Sequence, residues 1–247
     1  MKSKTLIPLF VAVALGPLTS PSWGQTQPWT PRSSGPNVQV FADTSDSPQA
    51  LVLSVHGKCE YSEDGTNFTG LKARHVLTQG AVVRTAGGAR TDLFFRRIGT
   101  TVRLQSGTEV KLEAMTRHTK DSRPVLETLL DLRTGRIFTV VRALVPGSTF
   151  EIRNAAGRSV VEGGGGQGRY IITADGTHVT EKGSVAPLKV IGETGVTVIT
   201  PGMKFSAKAG KVFSQDPPEA VASLIVFDEL DSLGEETYPP ENPPKGR

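Results

Sequence analysis

Residues 101–114 read Thr-Val-Arg-Leu-Gln-Ser-Gly-Thr-Glu-Val-Lys-Leu-Glu-Ala, and the fold class turns on them. Val102 and Leu104 alternate with Thr101, Arg103 and Gln105. Past Ser106-Gly107, Val110, Leu112 and Ala114 alternate with Glu109, Lys111 and Glu113. Successive side chains of a strand point to opposite faces, so apolar residues at every second position mark a strand with one buried face. Ser106-Gly107 supplies residues that tolerate the positive φ of a turn. Residues 51–56 alternate in the same way, which places Leu51, Leu53 and Val55 on one face and Val52, Ser54 and His56 on the other. Further strands are expected at 82–85, 92–96, 125–132, 137–141, 149–153, 170–173, 178–181, 196–200 and 211–213. Turn residues punctuate them at 63–65, 87–88, 134–135, 175–176 and 182–183. Many short strands without an intervening helical period predict an all-β domain over residues 50–215, a solenoid-like or sandwich stack. No repeat has a strict period.

One short C-terminal helix is expected over residues 216–234. Asp216 suits the cap, Pro217 the first helical position and Glu219 the third. Val221, Leu224 and Ile225 then share a face, expected to pack on the β domain, with docking to a partner as the alternative. Residues 235–247 are acidic and Pro-rich, the composition of a disordered tail. At the other end Lys2 and Lys4 precede an apolar run at 6–15 that only Pro8 interrupts, and Ser22 and Gly24 are small residues ahead of Gln25. This is the pattern of a signal peptide over residues 1–24. The run is about half of the ~20 residues that a membrane helix needs, so no stable span is expected after cleavage. Residues 25–49, rich in Pro and Ser, read as a flexible linker. The expected location is therefore outside the cytoplasm, periplasmic or extracellular.

Cleavage would leave 26 basic residues against 24 acidic ones, a net charge of +2, which gives no footing for nucleic-acid binding. Cys59 is the sole cysteine, so no intrachain disulfide forms, and a small buried hydrophobe is its simplest role. No catalytic residue, cofactor site or metal site is expected. His56 and Cys59 have the spacing of half a metal site, but no second pair follows. No G-x-S-x-G elbow is present. Gly163, Gly165 and Gly168 fit G-x-G-x-x-G, yet Arg169 to Thr173 reads as a strand, where a dinucleotide site needs a helix; close backbone approach explains the glycines better.

Charge is unevenly distributed. Residues 71–111 hold eight basic side chains against Asp92 and Glu109, whereas residues 216–241 hold eight acidic ones and no basic one. If Val102 and Leu104 face inward, Arg103 faces water. Arg90, Arg96, Arg97 and Arg103 then form a possible anionic-ligand surface, for a carboxylated glycan, another anionic polymer or the chain's own acidic end.

From Gly80 onward the residue texture resembles the FecR domain, a bacterial extracytoplasmic module. The resemblance rests on Gly80-Ala81-Val82-Val83-Arg84-Thr85, on Ala89 to Phe95, and on Gly99-Thr100-Thr101-Val102-Arg103-Leu104. Leu130-Asp131-Leu132-Arg133-Thr134-Gly135-Arg136 and Pro146-Gly147-Ser148-Thr149-Phe150-Glu151-Ile152 extend it. Residues 195–211, with Pro201-Gly202-Met203-Lys204-Phe205, are similar to the module's closing strands, for a coverage of about two thirds of the chain. The resemblance implies an all-β, solenoid-like domain for protein–protein signalling or envelope scaffolding, without catalytic residues. Founding members relay iron-siderophore status to a cytoplasmic sigma factor, but this chain lacks their internal membrane helix and anti-sigma segment. Asn154-Ala155 and Glu162-Gly163-Gly164 stand where relatives carry Thr-Pro and Arg-Gly-Thr. The expected function is an exported, non-enzymatic FecR-like domain that binds an envelope protein; the alternative is a glycan- or cell-wall-binding module using the arginine face.

Overall fold

The structure, a computed structural model, describes residues 48–142, 144–193 and 195–237. The expected signal peptide, all of the expected linker but Pro48 and Gln49, and residues 238–247 lie outside them. In chain order the strands are β1 (Ala50–His56), β2 (Cys59–Ser62), β3 (Thr69–Gly70), β4 (Val76–Leu77), β5 (Val82–Thr85), β6 (Arg90–Phe95), β7 (Thr100–Leu104), β8 (Glu109–Lys120) and β9 (Arg123–Thr134). They continue as β10 (Arg136–Val141), β11 (Thr149–Asn154), β12 (Gly157–Glu162), β13 (Gly168–Thr173), β14 (Thr177–Thr180), β15 (Leu188–Gly192), β16 (Gly195–Ile199), β17 (Met203–Ser206) and β18 (Lys211–Ser214). Helix α1 (Pro217–Thr237) closes the described chain.

The strands form two nine-stranded sheets, a sandwich with α1 as a third layer. The helix-side sheet runs β4-β1-β6-β7-β10-β13-β14-β17-β18 and the far sheet β3-β2-β5-β8-β9-β11-β12-β15-β16. After the first rung, both orders follow the chain. The polypeptide crosses from one sheet to the other and back as it climbs, so the sandwich is also a stack whose neighbours are close in sequence. Ser106-Gly107 shows how a turn does this: β7 before it belongs to one sheet and β8 after it to the other. Among the described pairs only β9 and β11 are parallel, because β10 crosses to the helix-side sheet between them.

Alternation explains the far sheet. Val110, Leu112, Leu130, Leu132, Phe150 and Ile152 point inward, against Val102, Leu104, Ile137, Val141, Tyr170 and Ile172 of the helix-side sheet. Each such side chain contributes about 1.5–3 kcal/mol of burial. The expected strands from 82–85 onward match β5, β6, β9, β10, β11, β13, β14, β16 and β18 to within two residues at each end. In β12 and β15 the apolar residues do not alternate cleanly, so period two alone does not mark them.

Two expected orientations are reversed. In β1 the buried side chains are Ala50 and Val52, not Leu51 and Leu53. Pairing with β6 skips Leu53, and this bulge flips the parity so that Val55 packs on the core after all. In α1 the expected face is the outer one. The helix does pack on the β domain, but through Phe227 and Leu230, fully buried, with Val226 and Leu233 beside them, against Phe138, Val140, Ile171 and Val179. The Phe138 and Phe227 rings meet edge to face at 5.5 Å. The helix also takes in residues 235–237 of the segment expected to be a tail.

Candidate functional site

Because α1 covers the helix-side sheet, strands β7, β10 and β13 are buried on both faces, and the arginine surface expected from the sequence is divided. Arg90 on β6 is exposed. Arg96 and Arg97 are half-buried in a 3-10 turn, Arg96–Ile98. Arg103 does not face water: it is 4% exposed. Its Nε donates to Asp92 Oδ1 at 2.7 Å, its Nη2 to Asp92 Oδ2 at 3.1 Å and its Nη1 to Glu229 Oε2 at 2.5 Å. Ser54 Oγ donates to the same Asp92 at 2.5 Å. Burial alone would lower the guanidinium pKa, but the bonds from Asp92 and Glu229 outweigh it and hold the proton more firmly.

The acids of α1 meet other basic groups of the same sheet. Arg169 bonds to Asp231 at 2.5 Å and lies 3.8 Å from Asp228. Arg142 lies 3.8 Å from the Asp231 carboxylate and also donates to the Asp231 carbonyl. Lys204 donates to Glu219 at 2.9 Å. The acidic run thus docks on cations drawn from β7, β13, β17 and the residue after β10. On the outer face of the far sheet, cations are matched with acids in the same way. Arg84 takes Glu60 at 2.8 Å, Arg133 takes Glu109 at 2.9 Å and Asp131 at 3.3 Å, Arg153 takes Asp131 at 3.2 Å and Lys189 takes Glu162 at 2.6 Å. Exposed pairs of this kind are screened by water and add little stability. Their effect is to neutralise the face.

The groups that could carry chemistry are built into the core. Cys59 is 4% exposed, its thiol donates to the Arg90 carbonyl at 3.4 Å, and burial pushes its pKa up. The same thiol lies 3.8 Å from the His56 carbonyl. Ser159 Oγ lies 2.8 Å from His178 Nδ1, and Asn154 Nδ2 lies 3.5 Å from Nε2 while donating to the Thr173 carbonyl. This resembles a nucleophile and its base, but Ser159 and His178 are both 0% exposed. The trio satisfies buried polar groups. Among the described residues no three His, Cys, Asp or Glu side chains are grouped to hold a metal. The glycine run packs tightly: a Cβ at Gly163 would strike the Val145 carbonyl and one at Gly168 the Tyr170 hydroxyl.

The outer side of α1 is apolar. Val221 and Ile225 are each 63% exposed and Leu224 37%, a stripe at i, i+3 and i+4 on the outer side of α1. A cleft of about 280 Å³ lies under the amino-terminal half of the helix, lined in part by Arg136, Phe138, Ile171, Glu219 and Ser223. The sequence shows the stripe but not which way it points. A second stripe, Ser223, Phe227 and Leu230 at i, i+4 and i+7, is equally legible and is the one that packs. Comparison with family models, curated proteins and solved structures finds no match to this chain.

Proposed function

We propose that this chain is an exported, non-catalytic FecR-like domain that binds another protein of the cell envelope, and that Val221, Leu224 and Ile225 of α1 make the contact. The observation that carries the reading is an apolar helical stripe left outward while the opposite side of the same helix is anchored by Phe227 and Leu230. A docked amphipathic helix with a free apolar face is the form that fits a hydrophobic groove on a partner. Asp228, 72% exposed, continues the stripe toward the carboxyl end, so the matching groove has a basic rim. The all-β stack is of the kind that the residue resemblance implies, and it presents the outer side of the helix.

The second expectation, an anionic glycan held by Arg90, Arg96, Arg97 and Arg103, loses its centre because Arg103 is already bonded to Asp92 and Glu229.

A photoreactive side chain placed at Ile225 tests the first reading. It is expected to give one discrete adduct with a different protein in the envelope fraction, absent when the group sits at Lys208. Adding Val221→Glu should abolish the adduct. An adduct with the mass of two copies of this chain, or one that survives Val221→Glu, overturns the assignment. Export itself predicts a mature amino terminus at Gln25, read by terminal sequencing of the purified protein.

A further inference from the structure

The β8–β9 hairpin is longer than the sheet that holds it. β5 pairs with β8 only as far as Lys111, and β11 pairs with β9 only from Glu127 onward. From Arg117↔Leu126 to Lys120↔Arg123 the two strands pair with each other alone. All of residues 116–124 are exposed. The result is a two-stranded ribbon standing out from the far sheet. Asp121 and Ser122 close it with φ of 50° and 61°, the pair of positive values of a tight two-residue hairpin turn. That turn fixes Lys120 opposite Arg123.

Directly opposed residues share a face, with Cβ atoms about 5 Å apart, and like charges placed so are destabilising. Elsewhere on this face of the sheet cations pair with acids. At the base of the ribbon His118 still has Glu127, at 3.9 Å. Two cross-strand pairs further out, on the same face, the pattern breaks: Lys120 faces Arg123, neither has an ion-pair partner among the described residues, and the nearest acid in sequence is Asp121 of the turn. An anion seated between the two cations removes the repulsion and gains charge-assisted hydrogen bonds from both. The tip, Thr119-Lys120-Asp121-Ser122-Arg123-Pro124, has no large apolar side chain of the kind that anchors a bilayer-binding segment. His118 lies two residues back on the same face, about 7 Å along the strand, where a polymer would present its next polar group.

We propose that the tip of this ribbon docks an anionic polysaccharide, seating one carboxylate or phosphate between Lys120 and Arg123. The site uses neither the outer stripe of α1 nor Arg90, Arg96, Arg97 or Arg103.

The test measures retention of the mature full chain on immobilised polygalacturonate at low salt, with dextran as the neutral reference and mixed phosphatidylcholine–phosphatidylglycerol vesicles as the bilayer arm. The wild type is expected to bind polygalacturonate and not dextran. The double variant Lys120→Gln/Arg123→Gln should weaken binding about tenfold and flatten its salt dependence, whereas Arg90→Gln and Ile225→Glu leave it unchanged. Both changed positions are exposed, and an unaltered melting temperature confirms that the variant is folded. Wild-type binding that is absent, survives the double variant, follows Arg90→Gln instead or prefers vesicles overturns the proposal.

Discussion

Removing Arg103 strands Asp92 of β6, 1% exposed, with Ser54 as its remaining side-chain donor among the described residues. Breaking a buried pair from one side is costly because the partner keeps its desolvation penalty. Arg103→Met is expected to lower stability by about 3–5 kcal/mol, while adding Asp92→Leu recovers much of that loss, both read by urea unfolding. His178 makes a pH prediction. Burial pushes its pKa down to about 4 from 6.5, with Asp175 pulling weakly the other way. Between those two values the unfolded chain binds a proton that the folded chain refuses. Stability is therefore full above about pH 6.5 and falls as the pH drops toward 4, by roughly 3 kcal/mol in total. Glu60, Asp131 and Asp175, whose pKa values are lowered, lose their contributions mainly below that window, as they protonate. His178→Gln should flatten the profile between about pH 6.5 and 4.5; a slope equal to the wild type's would mean that the ring is already charged in the fold.

At the scale of the element, α1 has two apolar stripes, and only one of them faces the sheet. Phe227→Ala empties a site enclosed by Phe138, Val140, Ile171 and Val179 and is expected to cost about 3–5 kcal/mol. Ile225→Ala should cost less than about 0.5 kcal/mol, as an exposed change does. Chemical denaturation of both variants decides the point. If Ile225→Ala is as damaging as Phe227→Ala, another part of this chain covers the outer stripe, and the partner-binding reading fails. The same helix shows where sequence reading stops. Period two located β8 and β9 of the far sheet because their outer face carries Glu109, Lys111, Asp131 and Arg133 in alternation with Leu and Val. In β7 the helix covers the second face, so polar Arg103 is buried as deeply as Val102, and alternation assigns it to water. The ion pair that buries it joins positions 126 residues apart, a separation over which no local pattern operates. The bulge at Leu53 is invisible for a related reason: it is a property of pairing with β6.

For the whole molecule the spatial order of the strands predicts how it comes apart. In a stack, each rung is supported by its neighbours and the ends have one neighbour fewer, so opening proceeds from the ends when coupling between rungs is moderate. The ends here are unequal. One presents β3 and β4, two residues each, too short to offer much of an edge. The other presents β16 and β18, with Val196 62% and Val198 49% exposed and every residue of β18 exposed. The middle is the opposite case: β7, β10 and β13 lie under the far sheet on one side and α1 on the other, and the Arg103, Arg142 and Arg169 bonds tie the helix across them. Native-state hydrogen exchange should therefore rank β10, β7 and β13 slowest, with opening free energies that reach the global value. β16 and β18 should exchange through local openings that low denaturant barely changes. Arg103→Met should lower the protection of β7 and α1 together, because the one guanidinium joins them, and leave β16 and β18 as they were. If all strands instead converge on a single opening free energy, the two sheets unfold as one cooperative unit, and the rung-by-rung order is a feature of the topology without consequence for stability.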